Sequence, residues 1–227
     1  MSDVVVEVRG ATRTYSGEAV PVYALRGVDL TVHRGDFVSL AGPSGSGKST
    51  LLNLIGGLDK PDEGDVIVDG VSLAGLSENE LSDIRLEKIG FVFQAYNLLA
   101  VLTAEENVGF IMQLQGIGKS ERLAKARQTL ATVGLEELAD RRPGDMSGGQ
   151  QQRVAIARAI ATSPVLLLAD EPSANLDSGT TGELLELLKE LNEKHGMTIV
   201  TATHDPMVMS YASRQINLRD GSIVDDT

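Results

Sequence analysis

The sequence predicts an α/β fold: a parallel sheet with helices on its faces, a strand-rich beginning, and a helical insertion before the sheet is completed. Three observations carry this. A strand, a glycine-rich phosphate loop and a helix follow one another between residues 36 and 57. From residue 103 to 161 strand-like runs vanish and apolar residues recur at helical spacing. After residue 165, strand-like and helix-like runs alternate again, the pattern of a parallel core.

In chain order, residues 4–8 (VVVEV), 28–32 (VDLTV) and 36–40 (DFVSL) are short β-branched runs divided by glycine and charge, and each predicts a strand. The third meets the phosphate loop, and LLNLIGG at 51–57 continues as a helix. Pro61, Asp62, Glu63 and Gly64 form a turn signal, after which VIVDG at 66–70 predicts a strand. IGFVF at 89–93 is a buried-type strand leading to Gln94. EENVGFIMQLQ at 105–115 and SERLAKARQTLATVG at 120–134 predict helices, punctuated by Gly116, Gly118 and the Arg142, Pro143, Gly144 break. Then come a strand at 165–169 (VLLLA), a helix at 182–196, a strand at 197–204, and a strand pair at 214–218 and 222–226 around Asp220 and Gly221. No internal repeat or low-complexity linker is present.

The bulk properties set limits. The chain has 227 residues, enough for a sizeable core, with 42% apolar and 23% charged residues. A net charge of −12 argues against wrapping a nucleic-acid backbone, which needs clustered Lys and Arg. An acidic chain can still hold phosphate, because backbone dipoles do the holding. With no cysteine, disulfides, thiolate metal sites and cysteine nucleophiles are excluded. The start, MSDVVVEVRG, is not a secretory signal, and no run reaches the ~18 apolar residues of a membrane span. These features place the chain in the cytoplasm without direct membrane insertion; any membrane role comes through a partner.

Gly42, Ser44, Gly45, Ser46, Gly47, Lys48 and Ser49 belong to a complete phosphate-loop pattern, after a predicted strand and before a predicted helix. Glycines let backbone N–H groups turn inward to form a nest for anionic oxygens, and the helix adds its positive end. Lys48 supplies a mobile charge for the outer phosphates, and Ser49 a hydroxyl for Mg²⁺. Asp170 ends an apolar strand, where a carboxylate needs a partner; Mg²⁺ is that partner. Glu171 follows where the chain turns, placed to take a proton from water attacking the γ-phosphate. A second glycine-rich loop, Met146, Ser147, Gly148, Gly149 and Gln150, opens another helix. Two phosphate loops with one set of carboxylates imply a site shared between two chains. His33 at a strand end and His195 near a helix end read as structural.

Taken together, the phosphate loop, Gln94, Ser147 to Gln150, the run 166–171, Asp177 and His204 resemble, in order and spacing, the ATPase subunit of ABC transporters. The resemblance covers almost the whole chain. Within the family, VYALRGVDL, GPSGSGKSTLLNLIGGLDKP, IGFVFQAYNLLAVLTAEENV, MSGGQQQRVAIARAI and ADEPSANLDS look most like the lipoprotein-releasing, macrolide-export and cell-division group. It implies a single ABC ATPase domain. A nucleotide-binding core with an N-terminal antiparallel β subdomain would span 1–94 and 162–227, and a helical subdomain with the signature loop 95–161.

The resemblance also implies roles. Tyr15 would stack on adenine; Lys48, Ser49 and Thr50 would hold phosphates and Mg²⁺; Asp170 would hold Mg²⁺. Gln94 would contact Mg²⁺ and the attacking water. Glu171 would be the catalytic base, His204 would contact the γ-phosphate, and Asp177 would lie at the dimer contact. Ser147, Gly148, Gly149 and Gln150 would close over the ATP of a second copy. Residues 95–102 would receive a membrane permease subunit at the cytoplasmic face of the membrane; alternatively they pack the insertion's core. Two departures are conservative: Met146 where Leu is usual, and Ser173 where Thr is frequent. The same ATPase could instead power a partner that moves no substrate. DNA-repair or translation relatives, and small-molecule kinases, fit less well: the chain has no coiled-coil insertion or tandem cassette, and a kinase leaves the second loop unexplained.

Overall fold

The computed structural model describes residues 3–16 and 21–227. Its elements are β1 (Val4–Tyr15), β2 (Val22–His33), β3 (Phe37–Ala41), α1 (Lys48–Ile55), β4 (Glu63–Val68), β5 (Val71–Ser72), α2 (Glu78–Lys88) and β6 (Ile89–Phe93). Then follow α3 (Ala104–Leu114), α4 (Lys119–Thr132), α5 (Gly148–Ile160), β7 (Leu166–Asp170), α6 (Ser178–His195), β8 (Thr198–Ala202), α7 (Pro206–Tyr211), β9 (Arg214–Arg219) and β10 (Ser222–Asp226). Two short 3₁₀ turns lie between α4 and α5.

The strands form two sheets. One is antiparallel, in the order β2-β1-β4-β5. The other runs β10-β9-β3-β8-β7-β6, parallel throughout except for the antiparallel edge strand β10. Helices α3, α4 and α5 form the insertion between β6 and β7. No helix among the described residues is long and apolar enough to cross a membrane.

Because side chains alternate across a strand, the parallel sheet feeds two cores. Phe37, Ile199, Leu167 and Ala169 face one way and pack with α5 and α6. Val38, Leu40, Val200, Leu166 and Leu168 face the other, against α1 and the antiparallel sheet. The three central strands β3, β8 and β7 are buried on both faces, which is why the sequence there reads as apolar runs rather than as alternation.

Several elements differ from the sequence expectation. β1 and β2 run to 12 residues each, far past the expected five. Gly10 and Gly27, which read as terminators, take positive φ (56° and 73°), and register shifts let the pairing continue past Gly10. Helix α2 was not expected, because Leu81 is its one buried residue and periodicity is weak. Its signal was the capping box, in which Ser77 and Glu80 satisfy each other's backbone N–H. Helix α6 starts at Ser178 rather than 182, because Asp177 caps it through Gly179 N and Thr180 N. Asp205 caps α7 in the same way, with Pro206 in the first turn.

Candidate functional site

Four neighbouring parallel strands bring the predicted residues to one edge. At the same level across the sheet, Leu40 of β3 pairs with Ala202 of β8, Ala202 with Asp170 of β7, and Asp170 with Phe93 of β6. The segments leaving these ends carry the phosphate loop, His204, Glu171 and Gln94 respectively. The carboxyl edge of a parallel sheet is where such folds bind ligands.

The phosphate loop is shaped by its surroundings as well as by its sequence. A Cβ on Gly42 (φ 143°) would strike Leu218 O, and one on Gly47 (φ 104°) would lie 2.5 Å from Ala24 O. Gly221, in the β9–β10 turn, donates its N–H to Ser46 O at 3.1 Å and buttresses the loop from below. The sequence marked Gly221 only as a hairpin turn. At Gly45 (φ 78°) a Cβ would meet nothing within 4 Å, so this part of the loop faces open space. α1 has Gly47 at its N-cap with no side-chain cap, whereas α2, α3 and α5 each have a capping box. First-turn N–H groups of α1 are left for an anion. Lys48 is buried and donates to Gly42 O at 2.8 Å and Pro43 O at 3.0 Å. Ser44, Ser46 and Thr50 lie on the same loop and first turn.

Ser49 Oγ donates to Asp170 Oδ1 at 3.1 Å, which puts a hydroxyl and a carboxylate side by side. Burial pushes the Asp170 carboxyl above its ordinary range; the Ser49 hydroxyl and Lys48 oppose this, and the Glu171 charge adds to it. Such a pair of hard oxygen donors, short of compensating charge, suits Mg²⁺.

Glu171 sits with φ 46°, a left-handed conformation costly for a side chain with a Cβ. The backbone is held there by Glu171 N donating to Ala202 O at 2.9 Å. Its carboxylate meets His204 Nδ1 at 2.7 Å and accepts from Thr203 Oγ1 at 3.1 Å. Ser173 donates to Asp205 at 3.2 Å, and Asn175 Nδ2 donates to Gln94 O at 2.8 Å. Gln94, Glu171, Ser173, His204 and Asp205 line one cleft of about 630 Å³.

Tyr15 lies at the end of β1, with the Arg13 guanidinium 4.8 Å over its ring and its hydroxyl donating to Asp59 at 2.8 Å. Arg13 also bonds Asp59 and Asp62. One face of the exposed ring is covered by a cation.

The second glycine-rich loop stands apart. Ser147 caps α5 and forms a capping box with Gln150. Packing is tightest at Gly149, where a Cβ would strike Thr180 Cγ2; a Cβ on Gly148 would crowd the Tyr96 hydroxyl at 3.0 Å. Asp177 is committed to the α6 cap and to Thr180 Oγ1 at 2.6 Å, and these bonds hold its carboxyl below the usual range. Among the described residues, no hydrogen bond joins residues 147–150 to the phosphate loop of the same chain.

The stretch after Gln94 is split between the core and an open groove. Leu98 packs on the core that contains the helical insertion. Leu99 instead lines an apolar groove of about 550 Å³ with Phe91, Phe93, Phe110, Ile111 and Leu114. Asn107, fully buried, pins the loop over it through Leu99 N and the carbonyls of Leu99, Leu102 and Thr103.

These features define a phosphate-loop nucleotide-binding protein with a capped second loop on an inserted helix. The family model described as ABC transporter matches residues 25–174, and the chain belongs to that family as its ATP-binding cassette. The ABC transporter ATP-binding protein MJ0796 of Methanocaldococcus jannaschii is 48% identical over 223 residues, covering 96% of this chain and 94% of that protein. The macrolide export ATP-binding/permease protein MacB of Hyphomonas neptunium is 46% identical over the full 227 residues, and the chain spans 35% of its length. A solved dimeric structure of MJ0796 in a post-hydrolysis state with ADP and Pi superposes with a TM-score of 0.90 at 46% identity, covering 98% of this chain and 97% of that one.

Proposed function

We propose that this chain is the ATP-hydrolysing subunit of an ABC transporter that closes as a dimer over two ATP molecules and drives a separate membrane permease, in lipoprotein release or efflux-type export. The observation that carries the reading is the separation just described. Lys48, Ser49, Asp170, Glu171, Gln94 and His204 gather at one sheet edge, while residues 147–150 cap another helix. A second copy supplies the missing donors, in keeping with the dimeric state solved for MJ0796.

In this reading the phosphate loop and Lys48 hold the ATP phosphates, Tyr15 holds the adenine, and Ser147 to Gln150 cap the partner's γ-phosphate. Glu171 takes the proton of the attacking water, and His204 holds both Glu171 and the γ-phosphate. Ser49, Asp170 and Gln94 would hold Mg²⁺, which supplies charge neutralisation of the phosphates. Asp177 lies near the dimer contact and shapes it as the cap of α6. Residues 1–94 and 162–227 act as the core with its β subdomain, and 95–161 as the moving helical subdomain. The groove under Leu99 receives an apolar segment of the permease, which keeps the chain cytoplasmic and peripheral on the inner membrane.

Trans complementation tests this. Lys48→Ala and Gly148→Asp chains should each be inactive alone. Mixed, they form heterodimers with one intact site and recover ATPase activity. Absence of recovery from folded chains, with the Gly148→Asp partner still binding ATP, overturns the shared site.

A further inference from the structure

The turn that carries Glu171 is tied down residue by residue. Glu171 O accepts from Ala174 N at 3.2 Å, Ser173 bonds Asp205, Ser173 O accepts from Leu176 N at 2.9 Å, and Asn175 bonds Gln94 O. The remaining tether comes from α5, the helix that the second glycine-rich loop opens. Gln152 of α5 donates its Nε2 to Pro172 O at 2.6 Å. Gln152 is fully buried, yet its Oε1 has no hydrogen-bond partner. A buried acceptor left unpaired costs roughly 1–3 kcal/mol, so packing alone would favour an apolar residue at this position.

The geometry joins two places that act at different moments. Gln152 is two residues beyond Gln150, on the helix whose first turn would meet the partner's nucleotide. Pro172 directly follows Glu171, whose φ of 46° is a strained backbone state that persists only while its tethers hold it. A shift of α5 along its axis moves the amide of Gln152, the Pro172 carbonyl and hence the peptide that aims the Glu171 carboxylate. Arg158, farther along α5, holds a second loop in the same manner, donating to Asn97 O and Tyr96 O. Tyr96 and Asn97 are likewise left-handed, with φ of 56° and 51°. One helix thus grips two strained turns by their carbonyls.

We propose that Gln152 is a positioning residue for Glu171: it carries the movement of α5 on dimer closure to the turn that aims the base of the same chain. The proposal rests on the assignment of Glu171 as the base. Its consequence is that each site senses, through its own α5, whether the opposite nucleotide is engaged.

The test is Gln152→Met, close in volume and lacking the donor. Turnover should fall at least about tenfold, since a misplacement of ~1 Å costs on the order of 100-fold. KM for ATP and the melting temperature should stay close to those of the unaltered chain. In the Glu171→Gln background the same substitution should change the residual turnover by less than about twofold, because residues acting as a unit are non-additive. Unchanged turnover in folded Gln152→Met, or an additive loss in the Glu171→Gln background, overturns the proposal. Near-normal turnover of Glu171→Gln alone would instead overturn the assignment of the base. If Gln152→Met does not fold, the unaltered chain gives the answer by NMR. The Gln152 side-chain amide should exchange slowly and shift between ADP-bound and ATP-bound forms; a signal indifferent to nucleotide overturns the coupling.

Discussion

His204 and Glu171 meet at 2.7 Å, through Nδ1 and Oε1, at the ends of two adjacent parallel strands. Thr203 holds the other carboxylate oxygen at 3.1 Å. The carboxylate is aimed by two side-chain partners and by a left-handed backbone, so its position is fixed before any water is placed. Removing its basicity while keeping its shape should abolish chemistry and spare binding. Glu171→Gln should lose about 10²–10⁴ in turnover, the usual contribution of a general base. ATP affinity should persist, and ATP should drive the variant into a stable dimer. Phosphate release and gel filtration with and without ATP check both parts.

Gly149 gives a second prediction with a built-in rescue. Replacing a helical glycine by alanine normally stabilises by about 1 kcal/mol. Here the new Cβ would strike Thr180 Cγ2, and overpacking typically costs ~1–3 kcal/mol, so the clash wins. Gly149→Ala should lower the denaturation midpoint and weaken ATP-driven dimerisation, while ATP binding to the monomer stays intact. Adding Thr180→Ser removes Cγ2 but keeps the hydroxyl that bonds Asp177. The double variant should regain most of both losses; if it does not, the clash with Thr180 is not the cause.

The groove supplies a third. Leu98 is partly buried against the core, so a charge there would report on folding. Leu114 is 58% exposed and lines the groove, so Leu114→Asp should leave melting and the ATPase activity of the isolated chain nearly unchanged. It should reduce co-purification of the permease from mild detergent and the stimulation of ATPase by it. Retained permease binding would move the docking surface elsewhere.

Much of this was legible in the residues because local chemistry demanded it. Gly42, Gly47 and Lys48 have few alternatives at their spacing, and Asp170 at the end of an apolar strand advertised a need for charge. The β6 bounds, Ile89–Phe93, agree with the sequence because its apolar run is short and continuous, with Ile89, Gly90 and Val92 buried and Phe91 and Phe93 half-buried. What stayed hidden depends on pairing across long separations. Nothing local shows that Gly149 abuts Thr180, that Gln152 holds Pro172, or that Gly221 supports Ser46. The lengths of β1 and β2 were hidden for a related reason: a glycine inside a bulge and a glycine ending a strand look the same until the partner strand is known.

The last prediction concerns the edge of the parallel sheet and its dependence on pH. Arg214 of β9 grips Asp226 of β10 bidentately, Nε to Oδ1 at 2.7 Å and Nη2 to Oδ2 at 2.6 Å. Its third nitrogen donates to Thr31 O at 2.6 Å, so the same guanidinium ties the antiparallel sheet to the parallel one. The Arg214 hydrogen bonds hold the Asp226 carboxyl below its ordinary value of 3.8; burial opposes them, and the Arg214 charge adds to the lowering. A carboxyl depressed on folding stabilises the protein fully above its unfolded-state value, and the contribution is lost as pH falls through the lower folded-state value. Asp226 is about half exposed, with 47% of its side chain accessible, so solvent screening keeps the contribution within about 1 kcal/mol. Asp226→Asn should therefore melt ~1–3 °C lower than the unaltered chain near pH 7, given the usual scaling for domains of this size. The gap should narrow as the pH drops below 3.8 and close once both chains carry a neutral group at this position. Urea midpoints of the two proteins, compared at about pH 7 and about pH 3, measure it. A gap that stays constant would show that Arg214 holds the edge through Thr31 O and that the charge on Asp226 is incidental.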